Sequence, residues 1–221
     1  MVLTFSHDNT IIDDEENSFS EDPNLLIRKF RSSISNREVI IHKHQQSNPE
    51  QIIEQSAFAQ LAIMPTSFVH MLASVDRDLI FSHLYCPILL IDHDFSIPDQ
   101  LIFTYDHHHS SVSAIKQFCQ LFPGLNQAQV TILYMRCDSE AELAGEIFLL
   151  QMLQDYFKDI GIDRINAKAI ENSLEVILES NHTAILTLSN QGRPKIGQFF
   201  NPDTGFKILT QYKLPLFIAH H

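Results

Sequence analysis

The sequence predicts an α/β protein in which open parallel sheets carry helices on both faces, built twice in one chain of 221 residues. Three observations predict it. Short apolar, β-branched runs alternate with helical periods, most clearly from LIFTYD (Leu101 to Asp106) to the C-terminus. Alternation with these lengths gives parallel strands covered by helices. The runs also repeat: CPILLIDH (Cys86 to His93) matches LPLFIAHH (Leu214 to His221) at an offset of 128 residues, Pro87 onto Pro215. Finally, the chain is 44% hydrophobic and 19% charged, an ordinary globular composition at a length that fits one large or two small domains.

The elements follow in order. MVLTFS, Met1 to Ser6, is a strand that aligns with LIFTYD at an offset of 100, Thr4 onto Thr104 and His7 onto His107. The acidic IIDDEENSFSEDP is a loop, and Asn24 to Ser33 has a helical pattern through Leu25, Ile27 and Phe30. Val39 to His42 is the second strand. Asn48-Pro49-Glu50-Gln51 has the residues of a helix start, with Asn48 as N-cap, Pro49 in the first turn and Gln51 at the capping-box position; the helix runs to about Ala57. Leu61 to Pro65 is a strand, Ser67 to Leu84 is mostly helical, and Cys86 to Asp92 is a strand of the buried type. Ser96-Ile97-Pro98-Asp99 is the hinge that separates a domain over 1–97 from one over 98–221.

The second half is fuller. After LIFTYD, the helix Ser110 to Phe122 places Val112, Ile115, Cys119 and Phe122 on one face and is stopped by Pro123-Gly124. Val130 to Met135 is a strand. A long helix over Ser139 to Ile160 then turns Leu143, Ile147, Leu150 and Phe157 inward, with Gly161 as its C-cap. Ile165 to Ile170 is a weaker strand, and Asn172 caps a helix with Glu175 three residues on, matching Asn48 at an offset of 124. Ala184 to Ser189 is a strand, a loop with glycine and proline leads to a helix near Thr204 to Tyr212, and Leu214 to His220 closes the chain.

A net charge of -12 argues against nucleic acid and anionic membranes as partners, because both need a basic face. No apolar run approaches the ~18 residues of a membrane helix, and the start, MVLTFSHDN, lacks the basic n-region of a secretion signal. Cys86, Cys119 and Cys137 have no metal or redox spacing, which fits a reduced, cytoplasmic setting. Nine of the twelve histidines follow predicted strands: His7, His42, His44, His93, His107, His108, His109, His220 and His221. Ligands of open parallel sheets bind at those strand ends. With Asp92, Asp94 and Asp106 this is either a solvated polar rim or a set that a transition metal would accept. There is no Walker loop, no G-x-S-x-G and no supported Cys-His arrangement, so an enzyme is not expected.

The second half resembles a universal stress protein domain. The residues that carry the resemblance are LIFTYD ending on Asp106, VTILYM with its long following helix, and the Gly192 loop leading to PLFIAH. The likeness covers about Gln100 to His221 well and Met1 to Asp94 in shortened form. It implies a flavodoxin-like, adenine-nucleotide-hydrolase-like sheet of order 3-2-1-4-5 in the second domain, and tandem copies. Nucleotide-binding members carry G-x-x-G, nine residues, then G and Ser or Thr. Gly192 and Gly205 fit that spacing, Lys195 stands at the second glycine and Phe206 at the hydroxyl position. The resemblance places Asp106 on the adenine-ribose side and gives Asp106, Met135, Gly192, Lys195, Gly205 and Phe206 as the positions that would line a nucleotide. Read without it, Asp106 is an N-cap for the helix near Ser110 and the glycines are turn and cap residues.

Glycines in such a loop admit backbone amides to phosphate oxygens. Lys195 and Phe206 remove one approach and one hydroxyl, the first half has no glycine over Thr66 to Leu79, and Ser6 replaces the strand-ending aspartate. No cofactor is expected, and ATP affinity is expected to be weak or absent. The leading expectation is a stress-response protein that acts by binding and association. One alternative is an ATP- or AMP-binding sensor using the second domain. Another is a metal-binding protein or hydrolase using the histidine-rich strand ends. In the first half the unit expected to be missing is the edge strand 3 with its helix, since losing a central strand would leave unpaired backbone groups. That gives four strands. The two closing strands, Pro87 to Asp92 and Pro215 to His220, are exposed apolar edges unless paired. They are expected to pair with each other about a pseudo-twofold axis as an intramolecular pseudo-dimer. A homodimer is the further association this allows, and the protein partner is not named by the sequence.

Overall fold

The computed structural model describes residues 2–6, 40–44, 48–92, 95, 98–136, 140–166, 184–189 and 214–219. Its strands are β1 (Val2–Ser6), β2 (Ile40–His44), β3 (Ala62–Pro65), β4 (Ile88–Ile91), β5 (Gln100–Tyr105), β6 (Gln129–Arg136), β7 (Ile160–Asn166), β8 (Ala184–Ser189) and β9 (Leu216–Ala219). The helices are α1 (Pro49–Ser56), α2 (Thr66–Met71), α3 (Ser74–His83), α4 (His109–Leu121) and α5 (Glu140–Gln154). The predicted helices at Asn24 to Ser33, after Asn172 and near Thr204 to Tyr212 lie outside the described residues. No helix among the described residues is long and apolar enough to cross a membrane.

The strands lie side by side in the order β2-β1-β3-β4-β9-β8-β5-β6-β7. From β5 onward the expected order appears: β7-β6-β5-β8-β9, all parallel. The class is the α/β one predicted. The two sheets are joined edge to edge into a single sheet of nine strands. The junction is an antiparallel pairing of β4 with β9: Ile88 opposite Ile218, Leu89 opposite Phe217, Leu90 opposite Leu216. Leu89 and Phe217 are equivalent positions of the sequence repeat, so the axis relating the two strands passes through that pair.

The first half departs from a parallel sheet at one strand. β1 runs antiparallel to both β2 and β3, whereas β3 and β4 are parallel. An apolar pattern of period two reads the same in either direction, so the sequence of MVLTFS does not encode which way it runs.

The interior forms a layer on each face of the sheet. One layer holds Ile63, Leu89, Phe103, Ile115, Phe118 and Phe217. The other holds Ala62, Met64, Leu90, Ile102, Leu186 and Leu216. Both layers run through the β4–β9 junction, because alternate residues of each strand point to opposite faces. Phe118 of α4 has its ring centroid 5.4 Å from Phe103 and 5.2 Å from Phe217, both edge-on, and so ties β5 to β9. The α1 start forms as read: Asn48 Oδ1 accepts the Glu50 N–H at 2.7 Å, with Pro49 in the first turn. Burial pushes the thiols of Cys86 and Cys119 up to about 12.

Two further expectations are corrected. The long helix ends at Gln154 instead of Ile160, and Gly161 lies inside β7 opposite Thr131, not at a helix cap. Phe157 leaves the helix to pack edge-on against Phe103, centroids 5.8 Å apart, and Ile160, Ile162 and Ile165 favour a strand after it. Ile147 is exposed, while Glu146, Leu149 and Leu153 are buried; the side chain of Leu143 is outside the described ones.

Candidate functional site

The strand order reverses between β5 and β8, the place where open α/β sheets hold ligands at their carboxyl ends. β5 delivers Thr104, Tyr105 and Asp106 there, and β8 delivers Thr187 and Ser189; all five are buried. Thr104 Oγ1 donates to Thr187 O at 2.8 Å, which fastens the two strands across the crevice.

The turn from β5 into α4 is built from the histidine tract. His107 has φ 64, the left-handed region that most side chains avoid. Its ring packs against Tyr105 and Tyr134, with centroids at 5.0 Å and 4.6 Å. His108 is the N-cap of α4. Its Nδ1 lies 2.7 Å from Ser110 Oγ and accepts the Ser110 N–H at 3.3 Å. The His108 carbonyl accepts Ser111 Oγ–H at 2.8 Å. Asp106 Oδ1 accepts the His108 N–H at 3.1 Å. The reading of Asp106 as the N-cap is therefore corrected: the carboxylate closes an Asx turn two residues earlier, and the imidazole does the capping. Ser110 and His108 have the spacing of a nucleophile and base, but Ser110 is 1% exposed.

Behind this turn lies a second cluster that the sequence did not single out. A Cβ at Gly145 of α5 would stand 2.6 Å from Tyr105 Oη, so only glycine lets the helix approach the tyrosine without displacing it. The buried Glu146 pairs with Arg164 of β7 at 2.6 Å. The Arg164 guanidinium sits 5.7 Å from the Tyr134 ring centroid, a cation–π contact. Tyr134 stands opposite both Tyr105 and Arg164 in the ladder, so register alone assembles the row. The only available signal was that VTILYM and LIFTYD each carry a tyrosine at the same level.

Of the other predicted positions, Met135 lies in β6 opposite Ile165. Gly192, Lys195, Gly205 and Phe206 are outside the described residues. Of the described histidines, His107 faces tyrosines, His108 caps, His109 is exposed and His83 bonds the Leu79 carbonyl within its own helix; His7, His93, His220 and His221 lie outside the described residues. Among the described residues no three of His, Cys, Asp and Glu stand where they would hold a metal ion.

No protein-family model matches the sequence, and no curated protein matches it. Among solved structures, a universal stress protein from Archaeoglobus fulgidus DSM 4304 superposes with a TM-score of 0.53 at 16% identity, over 78% of this chain and 65% of that one. The chain has the fold of a universal stress protein. It spans 65% of the length of that relative. A universal stress protein solved in complex with cAMP aligns over 57% of this chain and 98% of its own at 18% identity, with a TM-score of 0.37. A functionally unknown protein from Pseudomonas aeruginosa PAO1 aligns over 91% and 79% at 11% identity, with a TM-score of 0.46. The assignment of the universal stress protein fold rests on the first of these.

Proposed function

We propose that this protein acts in stress response by binding and association rather than by catalysis, with its ligand-facing surface at the carboxyl ends of β5 and β8. The observation that carries the reading is how the polar groups there are used. Asp106 holds the His108 N–H, Thr104 holds Thr187 O, and His108, Ser110 and Ser111 satisfy one another. These groups shape a turn and a crevice wall. A general base or nucleophile would need to point at a substrate within ~3 Å. The protein works in the cytoplasm, with the two halves acting as one pseudo-dimeric body; the β4–β9 ladder supports the latter.

Calorimetry with ATP and with AMP tests the nucleotide part. The expected result is binding weaker than micromolar, which corresponds to about -8 kcal/mol. Micromolar binding of ATP would replace this reading with the second one, a nucleotide sensor in residues 98–221. That alternative is favoured by one observation, the buried Asp106 at the end of β5, where the family resemblance places adenosine. In that case Asp106→Ala and Gly205→Val both weaken binding.

A further inference from the structure

We propose that the rim at the amino ends of β3 and β4 is a docking surface for a basic segment of a partner protein, with Phe58 and Tyr85 as its anchors. The inference names a partner class for the association reading above and rests on it. Phe58 is 81% exposed and Tyr85 72%. Single apolar residues scattered on a surface are ordinary, but these two are held in one place. Ser56, the last residue of α1, is buried; its Oγ accepts the Tyr85 N–H at 2.9 Å and donates to the Ile53 carbonyl at 2.6 Å. That clamp fixes the backbone of Tyr85 against the end of α1, two residues before Phe58. Leu84 and Cys86, on either side of Tyr85, are buried, so the ring between them is turned outward. The Phe58 N–H donates to the Gln55 carbonyl at 3.1 Å, which sets the turn that carries the second ring. Exposed aromatic rings on an ordered backbone are the anchors that protein interfaces favour.

The electrostatics select the partner. α1 runs into β3 and α3 into β4, so both helices bring the negative ends of their dipoles to this rim. α1 has no basic residue in its last turn. α3 has His83 there, and its Nδ1 lies 3.0 Å from the Leu79 carbonyl of the same helix. Glu54, near the end of α1, is exposed. Arginine and lysine complement this field and also stack on aromatic faces. A second copy of the chain, at a net charge of -12, brings like charge to it, as do nucleic acid and anionic lipid.

The antiparallel junction decides what this rim lies next to. Ile88, at the amino end of β4, stands opposite Ile218 of β9, and Ile218 pairs with Leu188 near the carboxyl end of β8. The amino ends of the first half therefore share one side of the sheet with the β5–β8 crevice. β4 and β5 are three strand spacings apart in the sheet, about 14 Å, which about four extended residues span. A segment anchored on Phe58 and Tyr85 lies beside the crevice, and the first half contributes to that surface from its amino ends.

Two-dimensional NMR of the full-length protein at physiological ionic strength tests this, with acetyl-Arg-Leu-Arg-Leu-Arg-amide as the probe and its glutamate counterpart as the control. Saturable shifts are expected at the amides of Ala57, Phe58, Leu84 and Tyr85 with the basic peptide and none with the acidic one. Phe58→Ser combined with Tyr85→Ser should weaken the affinity roughly tenfold, and Glu54→Gln should weaken it by a smaller factor. Both rings are exposed, so the double variant should keep the wild-type spectrum elsewhere; if it does not, the location of the wild-type shifts and the Glu54→Gln affinity decide. Absence of saturable shifts at these amides overturns the proposal. So does an affinity unchanged in the double variant, which would assign binding to the acidic surface as a whole. A concentration-dependent dimer that the double variant abolishes would give the surface to a second copy and also overturns it. The nucleotide calorimetry reads a different site, so the wider reading and this one fail separately.

Discussion

The two halves of the sheet carry almost the same closing strand and differ most at the far end from it. β4 and β9 meet residue for residue through the equivalent pair Leu89 and Phe217. Moving outward, the second half continues β8, β5, β6, β7 in parallel, while the first half shortens and reverses one strand, β1. The difference shows where this architecture is constrained. At the junction, both faces of both strands are buried, so length, register and apolar identity are all fixed at once. Farther out in the first half, β1 runs reversed between β2 and β3, so strand direction is not held there as it is in the second half.

The largest test of that contrast is a charge at the junction. Leu89 and Phe217 are fully buried and opposite each other. Leu89→Asp or Phe217→Asp is expected to cost roughly 4 kcal/mol or more, from lost packing plus an unpaired buried carboxylate. Denaturation followed in both halves should show them weakened together. If only the substituted half melts earlier, or if each half expressed alone stays monomeric and as stable as in the intact chain, the junction is a contact and not a shared core.

A smaller effect is expected where α5 lies over the β5–β6 end of the second half. Gly145→Ala puts a methyl 2.6 Å from Tyr105 Oη, and Tyr105 is buried. Overpacking of this kind costs ~1–3 kcal/mol. Tyr105→Phe removes the oxygen that clashes, so the double variant should recover most of the loss in a thermal melt. A double variant no more stable than Gly145→Ala alone would place the strain elsewhere.

What was legible in the sequence follows the same division. The closing strands, the Asn48 cap and the apolar face of α4 were read correctly because each is set by local chemistry: alternation, capping residues, a 3.6 period. α4 is amphipathic, so Ile115, Cys119 and Phe122 pointed inward as their spacing said. α5 is apolar nearly all round, from Ala141 to Leu153. Its period carries little information, and Ile147 was placed inside while Glu146 was missed. Strand direction escaped for β1 because alternation has no direction. At the candidate site, Asp106 and the histidines after it were singled out from their place at a strand end. The left-handed backbone of His107 and the Tyr105–Tyr134–Arg164–Glu146 row were not, since they come from one unusual backbone angle and from register between strands, neither of which leaves a local pattern. The loop of Gly192, Lys195, Gly205 and Phe206 lies outside the described residues, so that part of the reading rests on spacing alone.

The smallest perturbation is the most discriminating, because it acts in one half and can be read in the other. Asn48 Oδ1 caps α1 from an exposed position in the first half. Asn48→Ala is expected to cost ~1 kcal/mol. Among the described residues each half holds one buried thiol, Cys86 just before β4 and Cys119 in α4. Burial is the main cause that raises both to about 12 from an ordinary 9.0. Neither is a thiolate in the native state at pH 8, and labelling by a thiol reagent then requires opening. The same raised values mean that the native state loses stability as pH climbs from about 9 toward 12, since thiolate forms first in the unfolded chain. Labelling should therefore be followed at pH 8, below that window, in a Cys137→Ser background. If the β4–β9 junction makes one cooperative body, Asn48→Ala should speed labelling at Cys86 and at Cys119 by the same factor, roughly fivefold for ~1 kcal/mol under conditions where opening limits neither step. Faster labelling confined to Cys86 would mean that the halves open separately, and that the shared ladder joins two bodies without coupling them.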